Sequence, residues 1–272
     1  MRLRIFLILI VCFVSRLSVA GWSKVGQFDN NAFTCGYFYN DKVGLIGGYV
    51  DRGWNSLRVK IIRTTNGGKT WATTSFPAGS GRITSIFMVD SLLGYASVDG
   101  NDYSLLKTTD GGNHWVDATT NNSGTSNCVY VTSKAIITTK WPQGYELIGG
   151  VSTNNGVTFS PVFYGSGIDR SNGIDFLDDL NGVVTMGPED DINTPRYTYY
   201  TSDGGMTWRR GGRLEESWGV YADKTSRSYY TLPEAQAPDR SDVVYRSVDN
   251  GKSWKILYNF PGNNIHFTGH IA

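Results

Sequence analysis

The chain has 272 residues, a formal net charge of +1, 33 glycines, 13% aromatic residues and three cysteines. So balanced a charge excludes a global bias toward nucleic acid or an anionic membrane surface. The length suits a single large all-β domain with a sizeable core, provided most of the chain takes part in it.

The first twenty residues are not expected to take part. Arg2 and Arg4 precede an apolar run from Ile5 to Val14, and Ser18-Val19-Ala20 places small residues where a leader peptide is cleaved. The run is too short to cross a bilayer as a mature helix. Residues 1–20 therefore read as a signal peptide and 21–272 as one exported domain without a membrane span: secreted, periplasmic or lumenal, and monomeric. Cys35 and Cys128 remain after cleavage. An oxidising compartment permits one disulfide between them, and two buried thiols fit equally well. No His/Cys spacing suggests a zinc site, so neither metal nor cofactor is expected. Asn121-Asn122-Ser123 is a glycosylation sequon that matters only in a eukaryotic host.

Beyond the leader, Trp22 to Phe28 reads as a strand. Four β-rich runs follow, Phe33–Phe38, Val43–Tyr49, Val59–Thr64 and Ala72–Ser75, separated by turn residues. The same order returns as Ile83–Val89, Gly94–Val98, Tyr103–Thr108 and Val116–Thr119. It returns again as Gly173–Leu177, Gly182–Met186, Tyr197–Thr201 and Arg209–Arg210. Between the third and fourth run of each set stands one eight-residue pattern, Ser/Thr-x-Asp/Asn-Gly/Asn-Gly-x-x-aromatic. It begins at Thr64, Thr108, Ser152, Thr201 and Ser247 and ends at Trp71, Trp115, Phe159, Trp208 and Trp254. The copy at 152–159, with Asn154, Asn155 and Phe159, is the degenerate one, and the first carries Asn66 where others have Asp. A period of 44 to 49 residues with strand-like sequence between copies marks the four-stranded blades of a β-propeller.

The pattern has a local logic. The side chains of Asn66, Asp110, Asn154, Asp203 and Asp249 can accept backbone N–H bonds inside a tight turn, helped by the Ser/Thr hydroxyl. Glycine at the fifth position allows a positive φ. The closing aromatic can plug the wedge between blades while an indole N–H finds a partner. At the chain end, Asn264 to Ile271 reads as a first strand and Trp22 to Phe28 as a fourth. Together they suggest a sixth, incomplete blade contributed by both termini, and a truncated reading frame would give the same picture.

These five boxes resemble the Asp-box, or bacterial neuraminidase repeat, across essentially the whole mature chain. The resemblance implies an all-β propeller of five complete blades plus a partial sixth, with the boxes as structural turns on the face away from the ligand. The same box occurs in sialidases, xyloglucan hydrolases, sortilin-type receptors and photosystem II assembly factors. If the boxes take one face, the second-to-third-strand loops and the blade linkers take the other. That face would hold Arg52, Trp54 and Arg58, then Lys140, Trp141 and Tyr145, then Glu189-Asp190-Asp191 with Arg196, and Glu234, Asp239 and Arg240. The blade linkers add Arg82, Arg170 and Arg213, which could converge near the axis on a carboxylate.

Sialidases use an arginine triad of that type, but their aromatic-Arg-Ile-Pro motif is absent here. Arg82-Ile83-Thr84 imitates it poorly, and no Tyr/Glu pair stands out among 16 tyrosines. Xyloglucan hydrolases carry two propellers. A short exported single propeller is most similar to the photosystem assembly factors, in which an arginine-rich face holds a polypeptide. The expectation is a non-catalytic protein-binding or assembly scaffold. The alternative is a glycan-binding or sialidase-like glycoside hydrolase propeller.

Overall fold

The computed structural model describes residues 31–51, 57–100, 104–118, 126–140, 149–163, 169–188, 196–214, 219–232 and 242–260. Residues 1–20, expected to be a leader, the segments 22–28 and 264–271 expected to close the propeller, and the sequon lie outside the described residues. No helix among those described is long and apolar enough to cross a membrane.

Five antiparallel sheets, each of four strands in chain order, follow one another. Blade 1 is β1 (Asn31–Phe38), β2 (Gly44–Asp51), β3 (Leu57–Thr64) and β4 (Ala72–Thr73). Blade 2 is β5 (Arg82–Met88), β6 (Gly94–Asp99), β7 (Leu105–Thr108) and β8 (Val116–Asp117). Blade 3 is β9 (Ser126–Val131), β10 (Ile136–Lys140), β11 (Gly149–Ser152) and β12 (Ser160–Phe163). Blade 4 is β13 (Asp169–Phe176), β14 (Gly182–Pro188), β15 (Arg196–Thr201) and β16 (Arg209–Leu214). Blade 5 is β17 (Gly219–Asp223), β18 (Ser228–Leu232), β19 (Asp242–Ser247) and β20 (Lys255–Phe260). The expected strands of blades 1, 2 and 4 all appear, shifted by at most a few residues. First strands pack on first strands, β1 on β5, β5 on β9, β9 on β13 and β13 on β17, so they are the innermost.

The core lies between sheets, because each blade is apolar on both faces. Leu45, Val59 and Ile61 of blade 1 meet Ile83, Ala96, Leu106 and Trp115 of blade 2. Tyr95 and Leu105 meet Val129 and Ile136 at the next seam. Ile137 and Val151 meet Phe176, and Leu177 and Val183 meet Ala222 and Tyr229. At roughly 1.5–3 kcal/mol for each large apolar side chain buried, the seams hold the blades together.

Within a blade, one large side chain and one small residue share a site at the start of the second strand. A Cβ on Gly44 would strike the Phe38 ring, one on Gly94 the Met88 side chain and one on Gly182 the Phe176 ring. In blade 5 the sizes are exchanged. Ala222 takes the first-strand position opposite Tyr229, which is fully buried and donates its hydroxyl to the Asn181 carbonyl at 2.7 Å. Volume is conserved while identity is not.

Four innermost strands also share a bulge. Thr34, Thr84, Asn127 and Asn172 are each skipped by the register with the second strand. The bulge frees the residue to reach across the seam. The Thr34 hydroxyl donates to the Ile83 carbonyl, and that of Thr84 to the Ser126 carbonyl at 2.9 Å.

Three residues beyond each bulge lie Tyr37, Phe87, Tyr130 and, in blade 4, Asp175. Tyr37 and Phe87 stand 5.8 Å apart, Phe87 and Tyr130 4.5 Å. The row continues into blade 4 through Phe176, which stacks on Tyr130 at 4.5 Å, while Asp175 spans the seam to blade 5, accepting the Ala222 N–H at 2.7 Å as well as that of Phe176 at 2.8 Å. Burial raises its pKa to about 6, although those two N–H groups and Lys224 pull the other way. A raised carboxyl pKa makes the folded state hold its proton more tightly than the unfolded chain. Its stabilising contribution is therefore full below pH 4 and is lost as pH rises through 6. The stability difference between the parent protein and Asp175→Asn should fall by about 2–3 kcal/mol between pH 4 and pH 7. Urea midpoints at several pH values would measure it, and a flat difference would contradict the burial account.

Among the described residues Cys35 and Cys128 are free thiols, Cys128 buried and Cys35 half-buried. Burial raises their pKa values to about 11 and about 12 respectively. Of the two alternatives left open by the sequence, the pair of unbonded thiols is the one observed.

Candidate functional site

The boxes resolve into one hydrogen-bond pattern repeated five times. In the fourth-blade copy the Thr201 hydroxyl donates to Asp203 Oδ1 at 2.7 Å and accepts the Gly205 N–H at 3.0 Å. Asp203 Oδ1 also accepts the Thr207 N–H at 2.9 Å. Thr64, Asn66, Gly68 and Thr70 repeat this, as do Thr108, Asp110, Gly112 and His114. So do Ser152, Asn154, Gly156 and Thr158, and Ser247, Asp249, Gly251 and Ser253. The fourth position takes a positive φ as well as the fifth, with Asn155 at 58° and Asn250 at 63° standing where the other boxes have glycine. The His114 N–H bonds hold the Asp110 carboxyl down at about 2. The carboxylate is thereby committed to its own turn.

Because Asn66 and Asn154 do the same work with an amide oxygen, Asp203→Asn should cost under about 1 kcal/mol. Asp203→Ala strips the turn of its acceptor and should cost about 2–3 kcal/mol. Thermal unfolding would separate the two, and equal losses would contradict the turn-acceptor role.

The boxes of blades 2 to 5 also grip the preceding blade. The Trp115 N–H donates to the Ser75 carbonyl at 2.8 Å, and the Ser75 N–H to the Asn113 carbonyl at 2.9 Å. The Arg63 Nε donates to the Gly111 carbonyl at 2.8 Å, the Thr132 hydroxyl to Gly204 and the Thr198 hydroxyl to Gly251. The closing aromatics enter the seams behind them: Trp115 against blade 1, Phe159 against blade 2, Trp208 against blade 3 and Trp254 against blade 4. Trp208 donates its indole N–H to the Gly205 carbonyl at 2.9 Å and Trp254 to the Thr198 hydroxyl at 3.1 Å. Trp115 Nε1, expected to find a partner likewise, has none among the described residues. Trp71 meets the Phe38 ring edge-on at 6.2 Å.

A second repeated turn shares this face and escaped the sequence reading. Asn40, Asp90, Asp178 and Asp223 each accept two backbone N–H groups two and three residues on, and the Thr132 hydroxyl does so in blade 3. The signal was present as a polar residue just after each first strand. Burial acts to raise the Asp178 pKa, but the Asn181 and Leu180 N–H groups and the Arg227 guanidinium hold it at about 2.

At the box end these first turns are uniform, four or five residues in every blade. At the other end the loops between second and third strands run from five residues to nine. Uniform turns serve packing, while variable loops on a rigid frame are where binding residues reside. Most candidates on this face, Arg52, Trp54, Trp141, Tyr145 and Arg240, together with Glu189-Asp190-Asp191, Glu234 and Asp239, lie outside the described residues.

The rest can be placed. Arg58 is exposed on β3 and bridges by backbone to Ser80 of the linker into blade 2. Arg82 opens β5, two residues before its bulge, and pairs with Asp99 at 2.8 Å on its own blade. Arg170 holds the same position on β13 in blade 4. Arg196 opens β15 opposite Leu214, and the backbone of Lys140 ends β10. Arg213 is corrected. It lies not in a linker before an innermost strand but within β16, the outermost strand of blade 4, opposite Tyr197. A six-residue β16, where β4 and β8 have two residues each, absorbs the stretch read as linker. The expected three-arginine convergence thus reduces to two arginines at matching register, one already ion-paired. Among the described residues no group of three His, Cys, Asp or Glu side chains could hold a metal.

A family model described as BNR/Asp-box repeat matches residues 199–210, the turn of blade 4 with its flanking strands. The chain is an Asp-box β-propeller. Comparison with curated proteins finds no sequence match. Among solved structures, the propeller superposes on the GH74 xyloglucanase of Xanthomonas campestris with a TM-score of 0.63 at 15% identity. That match covers 83% of this chain but only 38% of the xyloglucanase. YCF48 bound to D1 peptide gives 0.56 at 13% identity over 84% of this chain and 67% of that one. YCF48 from Cyanidioschyzon merolae gives 0.51 at 15%, covering 87% and 88%. Likeness at such identities is a likeness of fold.

Proposed function

We propose that this propeller is an exported, non-catalytic scaffold that binds a partner polypeptide through the face opposite its boxes. The observation that carries the reading is the contrast between ends. Every box and first turn is spent on its own hydrogen bonds, and the boxes of blades 2 to 5 on the preceding blade as well, whereas the opposite loops vary in length and carry charged and aromatic residues. A structural neighbour with a bound peptide, YCF48 bound to D1 peptide, supports a polypeptide as the ligand. Arg58 and the Arg82–Asp99 pair supply a polar rim, and Trp54, Trp141 and Tyr145 are suited to burying apolar contact area.

The second reading, a glycan-binding or hydrolytic propeller, draws on the likeness to the GH74 xyloglucanase. Affinity capture from the native source separates the two. The expected result is a polypeptide lost from Arg58→Glu and Arg82→Glu variants but retained by Lys69→Glu, which changes an exposed box residue. Turnover of a fluorogenic glycoside, abolished by Arg170→Ala, would instead establish the hydrolytic reading.

A further inference from the structure

Arg63, Arg82, Arg227 and Arg246 each donate to an oxygen of the protein, on Gly111, Asp99, Asp178 and Ser228 in turn. The outermost strand of blade 4 differs. Its three arginines, Arg209, Arg210 and Arg213, are all exposed on a strand of six residues. None of them has a hydrogen-bond acceptor or an ion pair among the described residues.

The strand sorts its cations into two pairs, each backed by a half-buried tyrosine ring. The Arg210 guanidinium lies 3.4 Å from the centroid of the Tyr197 ring. Arg213 is the ladder partner of Tyr197, so its side chain leaves on the same face. That face looks toward blade 3, against which Tyr199 packs two residues on. On the other face Arg209 is the ladder partner of Tyr200, and the Lys252 Nζ stands 5.5 Å from the Tyr200 centroid. Tyr200 belongs to the seam with blade 5. The carboxylates of the two neighbouring boxes, Asp203 and Asp249, accept from their own turns instead. A guanidinium stacked flat on a ring keeps its N–H fork in the plane above that ring, held ready for an oxyanion.

We infer that the outer edge of blade 4 binds an acidic polysaccharide laid across β16. One sulfate or carboxylate of the chain sits between Arg210 and Arg213, and another between Arg209 and Lys252. The strand itself argues against a peptide here. The Gly212 N–H already donates to the Gly251 carbonyl, and a Cβ on Gly211 or Gly212 would strike the box of blade 5. An extended peptide would therefore lose the backbone pairing that gives strand addition its affinity. A flat lipid surface fits no better, because the two pairs leave opposite faces of the strand and a plane meets one at a time. A flexible chain with anionic groups at intervals needs neither backbone pairing nor a flat approach. This edge stands apart from the loops opposite the boxes, and the inference does not rest on the polypeptide reading.

The test is titration of the full chain with heparin, a sulfated polysaccharide, and with polygalacturonate, a carboxylated one, with poly-glutamate as the peptide arm. At least one polysaccharide is expected to bind, more weakly as salt is added, and the tighter of the two identifies the anionic group. Arg210→Gln with Arg213→Gln should weaken that binding at least about tenfold, and so should Arg209→Gln with Lys252→Gln. Lys69→Gln, at the place of Lys252 in the box of blade 1, should leave it within about twofold. Arg210→Lys with Arg213→Lys keeps the charge but loses the fork, and should weaken binding about threefold or more. That lysine variant also decides the matter should the glutamine variants fail to unfold at the parent temperature. Binding of neither polysaccharide would overturn the inference, as would poly-glutamate binding as tightly as either. Parent-like affinity in the lysine variant would overturn it too, because diffuse charge would then suffice.

Discussion

Gly48→Ala is expected to destabilise the propeller by roughly 3 kcal/mol or more, far above the usual cost of one added methyl. Gly48 lies on β2 opposite Phe33, beside the bulge that lets Thr34 reach the next blade. A Cβ there would overlap the Ala32 carbonyl oxygen and stand 2.8 Å from the Phe33 Cα. Those are backbone atoms, so no rotamer change can relieve the clash. The strand pair would have to separate or the bulge would have to unwind. Gly150→Ala is the control. It too is a buried strand glycine, but its Cβ would come no closer than 3.4 Å to any atom, so its cost should stay under about 1 kcal/mol. Urea unfolding of the two variants measures the contrast, and equal losses would show that the bulge does not set the packing of blade 1.

The second large effect concerns Trp115, 3% exposed in the seam between blades 1 and 2. Trp115→Ala should cost about 4 kcal/mol, the transfer of an indole plus the cavity left behind. Trp115→Phe should cost under about 1.5 kcal/mol, since much of the ring volume remains. No hydrogen bond is lost with it, because Nε1 has no partner among the described residues. Trp254→Phe is the instructive comparison. Its indole N–H donates to the Thr198 hydroxyl, so the same substitution should cost about 1 kcal/mol more. Calorimetry on the three variants would check the order, and an inverted order for the two phenylalanine variants would refute the assignment of the bond.

Much of the fold was legible because its determinants are local. A Ser/Thr, an Asp/Asn and two residues able to take positive φ within eight positions form a turn whatever surrounds them. The flanking β-rich runs then have a single way to pair. What eluded the sequence depends on register between distant strands. The bulges at Thr34, Thr84, Asn127 and Asn172 follow from pairing offsets that no single strand carries. The size exchange between Phe176/Gly182 and Ala222/Tyr229 is visible only when the two strands lie side by side. The place of Asp175, accepting the Ala222 N–H across a seam, depends on how β13 lies against β17. Arg82 and Arg170, read as linker residues shortly before innermost strands, lie within β5 and β13 themselves. Arg213 was misplaced because the fourth strand was read as Arg209–Arg210 alone, whereas it runs on through Gly211 and Gly212, which make room for the box of blade 5. A Cβ on Gly211 would strike the Gly251 carbonyl oxygen, and one on Gly212 the Trp254 ring.

The grip of the boxes of blades 2 to 5 on the preceding blade means that the unit of stability is displaced from the unit of sheet. A sheet cut out at its own boundaries, from β5 through β8 for example, would lose the Phe159 ring that seals its outer flank and would carry Trp115 with nothing beneath it. A piece running from β5 to Phe159 would keep one complete seam. Insertions or fusions therefore belong away from the boxes, in the loops between second and third strands. A cut inside a box would release two blades at once.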